Sequence, residues 1–341
     1  MSDVLLLSLG TTLGWRAADA LFLAQLEEAG VSAEAVFVRI GASGRLRRAY
    51  PVTDLVEALA ARRALRAALR ERRPRAVVIS STTAAMLAGT DGLPYAVRLD
   101  APARMNRPGP QNAPLHALER RALARARVVL PWSRAAAAGL PQGAAPALVV
   151  PPPIAPSGEP SEPRERLAVA YTPDVKAKGL DVVCEAWGAA GVEDARLEVF
   201  GVEREAALAH LNRRGVATPP GVEFRGKTPP AEFRAALRRA HAYVGGARWE
   251  DFGMAPLEAL ADGALLATVP SGGPFEALAL ARELAPELVA DPLAPAMRAA
   301  FSMPPDRVRE YRERAAALVE RFRPEAVQRV VSDELVPALL G

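Results

Sequence analysis

Three features of this sequence predict an α/β protein built as two doubly wound, Rossmann-like domains facing each other across a cleft. Short apolar strands alternate with helical patterns through both halves, and the 341 residues exceed what one hydrophobic core usually fills. A proline-dense stretch, PPPIAPSGEPSEP at 151–163, separates the halves. Strands of this kind, divided by helices, argue for parallel sheets covered on both faces.

In the first half the predicted strands are Val4–Leu9, Val36–Ile40, Ala76–Ser80, Tyr95–Leu99, Val128–Leu130 and Leu148–Val150, with helices near 15–29, 54–73, 112–126 and 133–138. Val4–Leu9 reads as a first buried strand and not a signal peptide, because MSDVLLLSLG has no basic lead-in and no small-residue cleavage site. Proline density in 151–163 forbids regular structure and predicts a semi-rigid hinge. In the second half, strands at Leu167–Tyr171, Leu197–Phe200, Val222–Arg225, Ala242–Gly245, Leu265–Val269 and Leu288–Ala290 alternate with helices. From Asp306 onward two helical patterns are divided by Pro324. Domains of 1–153 and 164–324 are the expected division.

Half of the residues are hydrophobic, yet no apolar run approaches the roughly 20 residues of a membrane span. The single cysteine, Cys184, can form no internal disulfide, which fits a reducing compartment and a cytoplasmic protein, and it reads as a buried thiol. No Asp-x-Asp motif occurs, and His116, His210 and His241 lie far apart without ligand spacing, so no metal site is predicted. Of the 43 Lys plus Arg only Lys176, Lys178 and Lys227 are lysine, each in a predicted loop where a flexible point charge suits a phosphate. Arg62, Arg63, Arg66, Arg70 and Arg73 fall within roughly a 100° sector of one helix. Such a face suits an anionic membrane surface or a phosphate-bearing acceptor, and equally a solvated surface. Nucleic acid is not indicated, since no aromatic residues interleave with these arginines.

The segment from Trp249 to Glu276, WEDFGMAPLEALADGALLATVPSGGPFE, carries the chemistry. With Gly253 in a turn and Pro256 in the first helical turn, Glu250 lies in a loop and Glu258 on a helix, so the two acids can grip separate parts of one ligand. After a short buried strand, Ser271-Gly272-Gly273-Pro274 is predicted to enter another helix at Pro274. A helix start of this kind offers backbone N–H groups and a positive dipole end to an anion.

In these residues the chain resembles the retaining glycosyltransferases of family four, which have the GT-B fold and carry two glutamates with seven residues between them, then a strand and a glycine-rich loop. The resemblance extends upstream through VEFRGKTPPAEFRAALRRAHAYVGG at 222–246, is good over the second half and diffuse over the first. It implies an acceptor-side domain at 1–153, a nucleotide-sugar domain at 164–324, and a last helix, 325–341, packed back on the first domain. It also implies transfer of a hexose from a nucleotide diphosphate sugar, the donor substrate, to a hydroxyl on a small molecule, glycan or lipid. That transfer would be front-face, retaining and metal-independent, with no tightly bound cofactor. Glu250 would contact the sugar, Glu258 the ribose hydroxyls, and Lys178 the diphosphate. Phe252 and Gly253 would form the turn, and Ser271, Gly272 and Gly273 the donor cradle, with the Phe275 amide beside it. Arg225, Gly226 and Lys227 would border the base, and Gly10 and Gly14 would form the acceptor-side loop.

Two family features are absent. The arginine expected about five residues before Lys178 is replaced by a longer loop, in which Lys176 is the candidate substitute. The histidine expected after the fourth or fifth strand is missing from VRLDAPARMNRPG, which offers Arg98, Asp100 and Arg104; Asp100 is the candidate polar contact. A phosphorylase or nucleotide-sugar epimerase on the same architecture, or a non-catalytic nucleotide-sugar-binding homologue, are the alternatives.

Overall fold

The computed structural model describes residues 2–39 and 52–341. The chain divides into two compact units, Met1–Pro153 with Pro324–Gly341, and Ile154–Arg323.

In unit 1 the elements run β1 (Val4–Ser8), α1 (Leu13–Glu28), β2 (Ala33–Phe37), α2 (Val52–Glu71), β3 (Ala76–Ser80), α3 (Thr82–Ala85), β4 (Tyr95–Leu99), α4 (Ala103–Asn106), α5 (Ala113–Arg125), β5 (Val128–Pro131) and α6 (Arg134–Ala138). The five strands are parallel in the order β2-β1-β3-β4-β5. β1 and β3 are buried at every position, as expected of apolar runs covered on both faces.

Unit 2 holds β6 (Glu165–Tyr171), α7 (Leu180–Ala190), β7 (Arg196–Phe200), α8 (Arg204–Arg214), β8 (Val222–Gly226), α9 (Pro230–Arg239), β9 (Ala240–Gly245), α10 (Met254–Ala261), β10 (Leu265–Thr268), α11 (Glu276–Leu284), α12 (Ala294–Ser302) and α13 (Pro305–Val319). Its parallel order is β10-β9-β6-β7-β8. After it, α14 (Pro324–Val330) and α15 (Val336–Leu340) are joined by a π-helical turn at Val331–Leu335. These return the chain to unit 1, where Val327, Val331, Leu335 and Leu339 are buried in one cluster with Val4, Leu6, Phe22 and Leu26. Burial of four such side chains is worth about 1.5–3 kcal/mol each.

In each sheet the strand order reverses once, between β1 and β3 in unit 1 and between β6 and β9 in unit 2. Crossovers leave such a point in opposite directions, so the loops at its carboxyl edge splay apart and leave a crevice, the usual ligand position in open α/β sheets.

Four sequence expectations are corrected. The second strand occupies Ala33–Phe37 and not Val36–Ile40, whose last residue lies outside the described residues. Leu148–Val150 is no strand: Ala147 makes a single bridge to Val129, and Leu148 and Val150 donate to Val129 and Pro131 carbonyls along the β5 edge. Leu288–Ala290 is likewise reduced to one bridge, Val289 to Thr268, after a 3-10 turn. The helix after the glycine loop starts at Glu276 and not at Pro274. β2 is half-buried or exposed along its length, so no apolar run marks its start, and the other three sit where a loop borrows a sheet edge or shortens a helix, which periodicity does not register.

The proline-rich stretch has no regular structure and is tied to unit 2 from Ile154 onward. Ile154 N donates to Phe322 O at 2.6 Å, Ser157 N and Oγ donate to the Asp262 carboxylate at 2.7 and 2.9 Å, and Ser161 N donates to Arg238 O at 3.0 Å.

Candidate active site

At the unit 2 reversal point, the β6–α7 loop (172–179) and the β9–α10 loop (246–253) are neighbours at the carboxyl edge of adjacent strands. The first is shaped by Asp174, whose Oδ1 accepts from Lys176 N at 3.0 Å and Ala177 N at 2.9 Å. Gly179 then takes φ +63°, and a Cβ there would lie 1.9 Å from Gly246 O, so both loops need glycine where they cross. Arg248 fastens them further. It donates to Lys176 O at 3.0 Å and to both oxygens of Asp181 at 3.1 and 2.6 Å, and its own N–H bonds Ala177 O. Burial raises the Asp181 carboxyl pKa, but hydrogen bonds from Arg248 and Arg214 overcome it and hold the group far below the ordinary carboxylate range.

This scaffold brings Lys178 to Glu250: Nζ donates to Oε1 at 2.6 Å, with side chains 28% and 12% exposed. Burial pushes the Glu250 pKa up, and the Lys178 charge pulls against it. Glu258, in α10, is 22% exposed and lies 3.5 Å from Arg234 Nη1. Its pKa is raised to about 7, first by burial, with Arg234 opposing and Asp262 adding to the rise. Arg234 is held by Asp262 through Nε at 2.7 Å and Nη2 at 3.0 Å. Tyr243 is buried beside both acids: burial first, then the Glu250 and Glu258 charges, drives its phenol far above the ordinary value. Tyr171 is raised by burial and by Glu258.

The glycine loop docks on this group. Glu250 N donates to Gly272 O at 3.0 Å, and Trp249 pairs with Gly272 in a parallel bridge. A Cβ on Gly273, at φ +97°, would lie 2.3 Å from Glu250 O, and one on Gly253, at φ +83°, 2.5 Å from the Phe275 ring. Ser271 is buried and spends its hydroxyl on Ala247 O at 2.6 Å, and Phe252 packs edge-on to Phe322. Both therefore support the loops from within. Helices α7, α10 and α11 all begin at this edge, and among the described residues their N-cap positions, Gly179, Gly253 and Phe275, make no side-chain capping bond. Their dipoles favour an anion there.

Lys176 is exposed at the rim of its loop. Gly226 ends β8 at φ +74° with its Cβ position 3.0 Å from Glu203, and Lys227 N donates to Glu203 Oε1 at 3.2 Å. Arg225, half-exposed, lies 3.9 Å from Glu223.

In unit 1, Gly10 takes φ +55°, and its N–H donates to Ser8 Oγ at 3.0 Å. Gly14 falls inside the first turn of α1 with open space at its Cβ position. Asp100 accepts from Trp15 Nε1 at 3.2 Å, and Trp15 packs against Trp132 with ring centroids 4.4 Å apart. Arg98 points inward: 1% exposed, it donates to Asp19 Oδ1 at 2.8 Å and lies over the Phe22 and Trp132 rings. Burial lowers its pKa to about 10 against the pull of Asp19 and Asp100.

The basic helix face is partly corrected. α2 ends at Glu71, so Arg73 lies beyond it; Arg62 is half-buried, and Arg63, Arg66 and Arg70 are exposed. Cys184 is buried, and burial pushes its thiol up to about 12. His116 and His241 bond the Arg107 and Ala300 carbonyls, and His210 lies 3.5 Å from Asp181. Sequence reasoning missed Arg234, Arg248, Asp181, Asp262 and the two tyrosines. Gly245-Gly246 at the end of β9 was the available signal for the loop crossing; the charged residues carry none, since their partners lie dozens of residues away.

Residues 166–301 match the family model described as Glycosyl transferases group 1, which covers most of unit 2 and holds every residue of the Lys178, Glu250 and Glu258 group. No curated protein matches the sequence. Among solved structures, α,α-trehalose 6-phosphate synthase from Burkholderia multivorans superposes with a TM-score of 0.70 at 12% identity, covering 99% of this chain and 98% of that one. Sucrose-phosphate synthase from Thermosynechococcus elongatus gives 0.66 at 16% identity, covering 99% of each chain. Anabaena HepE in complex with UDP-glucose gives 0.70 at 12% identity, covering 99% and 100%. At such identities the likeness shows the fold, which is GT-B. Unit 2 thus carries a group 1 glycosyl transferase domain on a chain of GT-B fold, and the protein is an enzyme of the glycosyltransferase class.

Proposed function

We propose that this protein transfers a hexose from a nucleotide diphosphate sugar to a hydroxyl acceptor with retained anomeric configuration and without a metal ion. The observation that carries this reading is the meeting of Lys178 and Glu250 at the reversal point of the unit 2 sheet, beside Glu258 and three helix N-termini. Leaving-group charge is the main barrier to such a transfer, and preorganised donors lower it most. Lys178, with Lys176 at the rim, supplies the cations for the departing diphosphate. Glu250 accepts from hydroxyls of the transferred sugar and Glu258 from the ribose, each such bond to a charged acceptor being worth about 1.5–3 kcal/mol. Backbone amides of Gly272, Gly273 and Phe275 complete the cradle, and Arg225, Gly226 and Lys227 border the base.

As the glycosidic bond breaks, the departing phosphate oxygen takes the acceptor's proton on the same face. The acceptor oxygen bonds the anomeric carbon, and no separate base is needed. Gly10, Gly14 and Asp100 are the proposed acceptor-side contacts. UDP-2-fluoro glucose and UDP-glucose occur with structural neighbours, as does glucose-6-phosphate, so a uridine donor and a sugar-phosphate acceptor are the first candidates.

The test is a thermal-shift panel of nucleoside diphosphates, in which a ligand at about a hundred times its Kd adds roughly 2.7 kcal/mol. Transfer or hydrolysis assays on the best donor follow, with the product anomer read by NMR and the rate compared with and without EDTA. An inverted product, or phosphate-dependent cleavage, would replace this reading with another.

A peripheral contact with an anionic inner-membrane surface is a further part of the proposal. Arg63, Arg66 and Arg70 are exposed on α2, as are Val52, Leu55 and Leu59. Among the described residues no helix is long and apolar enough to cross a membrane. Cosedimentation with anionic vesicles that vanishes at high salt is the expected result; none at low salt ends the idea.

A further inference from the structure

The cation assigned to the diphosphate is already engaged. Lys178 Nζ donates to Glu250 Oε1 at 2.6 Å, and among the described residues neither side chain has another hydrogen-bond or ion-pair partner. With Glu250 at 12% exposure and Lys178 at 28%, the carboxylate loses more when the pair opens, because water reaches it less. Its surroundings offer little relief. Burial already drives its pKa upward, Lys178 is the charge pulling it down, and Asp251 pushes it up further. Tyr243 is the nearby buried phenol.

A nucleoside diphosphate and a nucleotide sugar make different demands on this pair. Both draw Lys178 toward phosphate. A bare diphosphate brings no hydroxyl to Glu250, so the carboxylate is left shielded from water, unpaired and beside an incoming anion. A nucleotide sugar brings hydroxyl donors to the same carboxylate as the ammonium leaves it. The exchange is balanced for the sugar-bearing donor and unbalanced for the bare nucleotide.

Resting on the donor-site reading above, we propose that Glu250 is a specificity-determining residue: by holding Lys178 in the free site, it weakens binding of the bare nucleoside diphosphate relative to the sugar-bearing donor. The same pair re-forms after transfer and helps to expel the nucleotide product. Glu250 thereby acts on product release as well as on the sugar.

The test is calorimetric titration of the full chain with UDP, ADP and GDP and with UDP-glucose, ADP-glucose and GDP-mannose, in wild type, Glu250→Gln and Lys178→Ala. For the nucleotide that binds, Glu250→Gln is expected to tighten the bare diphosphate about tenfold, the order set by a lost bond to a charged group. It is expected to leave the sugar-bearing donor no tighter, so the preference for sugar collapses. Glu250→Ala should reproduce the tightening if the Gln variant folds poorly, and Lys178→Ala should weaken both ligand classes. If wild type binds diphosphates but neither Glu250 variant binds them more tightly, this inference falls and the donor site stands. Should wild type bind none of the six probes, the donor reading falls and the inference with it.

Discussion

The two sheet-reversal points of this chain are built on one plan and filled in opposite ways. In unit 1 the polar groups at the carboxyl ends of β1, β3 and β4 turn on one another: Ser8, Ser80 and Arg98 all bond Asp19, and Asp19 and Arg98 are essentially without exposure. In unit 2 the equivalent edge leaves Lys178, Glu250 and Glu258 part-exposed, and confines its closed ion network to Asp181 with Arg248 and to Asp262 with Arg234. Satisfied buried charge makes a rigid floor; part-exposed charge with raised carboxyl pKa values makes a place for a ligand. The same topology thus carries a closed polar floor in one unit and a part-exposed charge cluster in the other.

Substitutions in the two places should separate stability from activity. Asp19→Ala strands the Arg98 guanidinium in the unit 1 interior and should cost about 3–5 kcal/mol in urea denaturation. A loss below about 1 kcal/mol would erase the difference between the two edges. Lys178→Ala should lower transfer about 100-fold or more while costing only about 1.5 kcal/mol in urea denaturation for the lost bond to Glu250; the reverse pattern would make the lysine structural.

Glu258→Gln should weaken donor binding about tenfold at pH 8 and remove a pH step. The sign follows from the folded pKa of about 7 against the ordinary 4.5. In the proposed role Glu258 accepts from ribose as a carboxylate, which exists above about 7, so wild-type donor affinity is expected to rise as pH climbs through that value. The neutral form's contribution to folding runs the other way, present below 4.5 and lost by about 7. A flat affinity profile from pH 6 to 8 would remove Glu258 from the ligand.

Unit 1 has a matching acid away from any proposed ligand. Glu119 accepts from Ala103 N at 2.7 Å, and burial raises its pKa to about 7 against that bond, a Thr82 bond and Arg107. Its stabilising neutral form is likewise lost as pH rises toward about 7, so Glu119→Gln should raise Tm at pH 8 by about 2 °C. Little change at pH 5 is expected, and a lower Tm at pH 8 would refute it.

Much of this was legible locally. β1, β3 and β6 from Leu167 onward are mainly apolar, and the pattern around Gly253 and Pro256 placed Glu250 in a loop and Glu258 on α10. The Lys176 to Lys178 loop stood out because an arginine-rich chain kept lysine there. Arg98, in the stretch where Asp100 was the candidate contact, faces the interior on Asp19, and with 79 positions between the two no local pattern registers that pairing. Ser271 was read as part of the donor cradle, yet its hydroxyl bonds Ala247 O.

By itself, then, the sequence determined the strands and helices and the loops that bear charge, because hydrophobic period and turn residues act over a few positions. Tertiary structure alone decided that Lys178 meets Glu250, that Arg234 faces Glu258, and that Asp19 consumes Arg98. Strand order sets which distant loops become neighbours, and neighbours set how much water and charge each side chain keeps. Only there does a carboxyl group acquire its pKa and a lysine its partner.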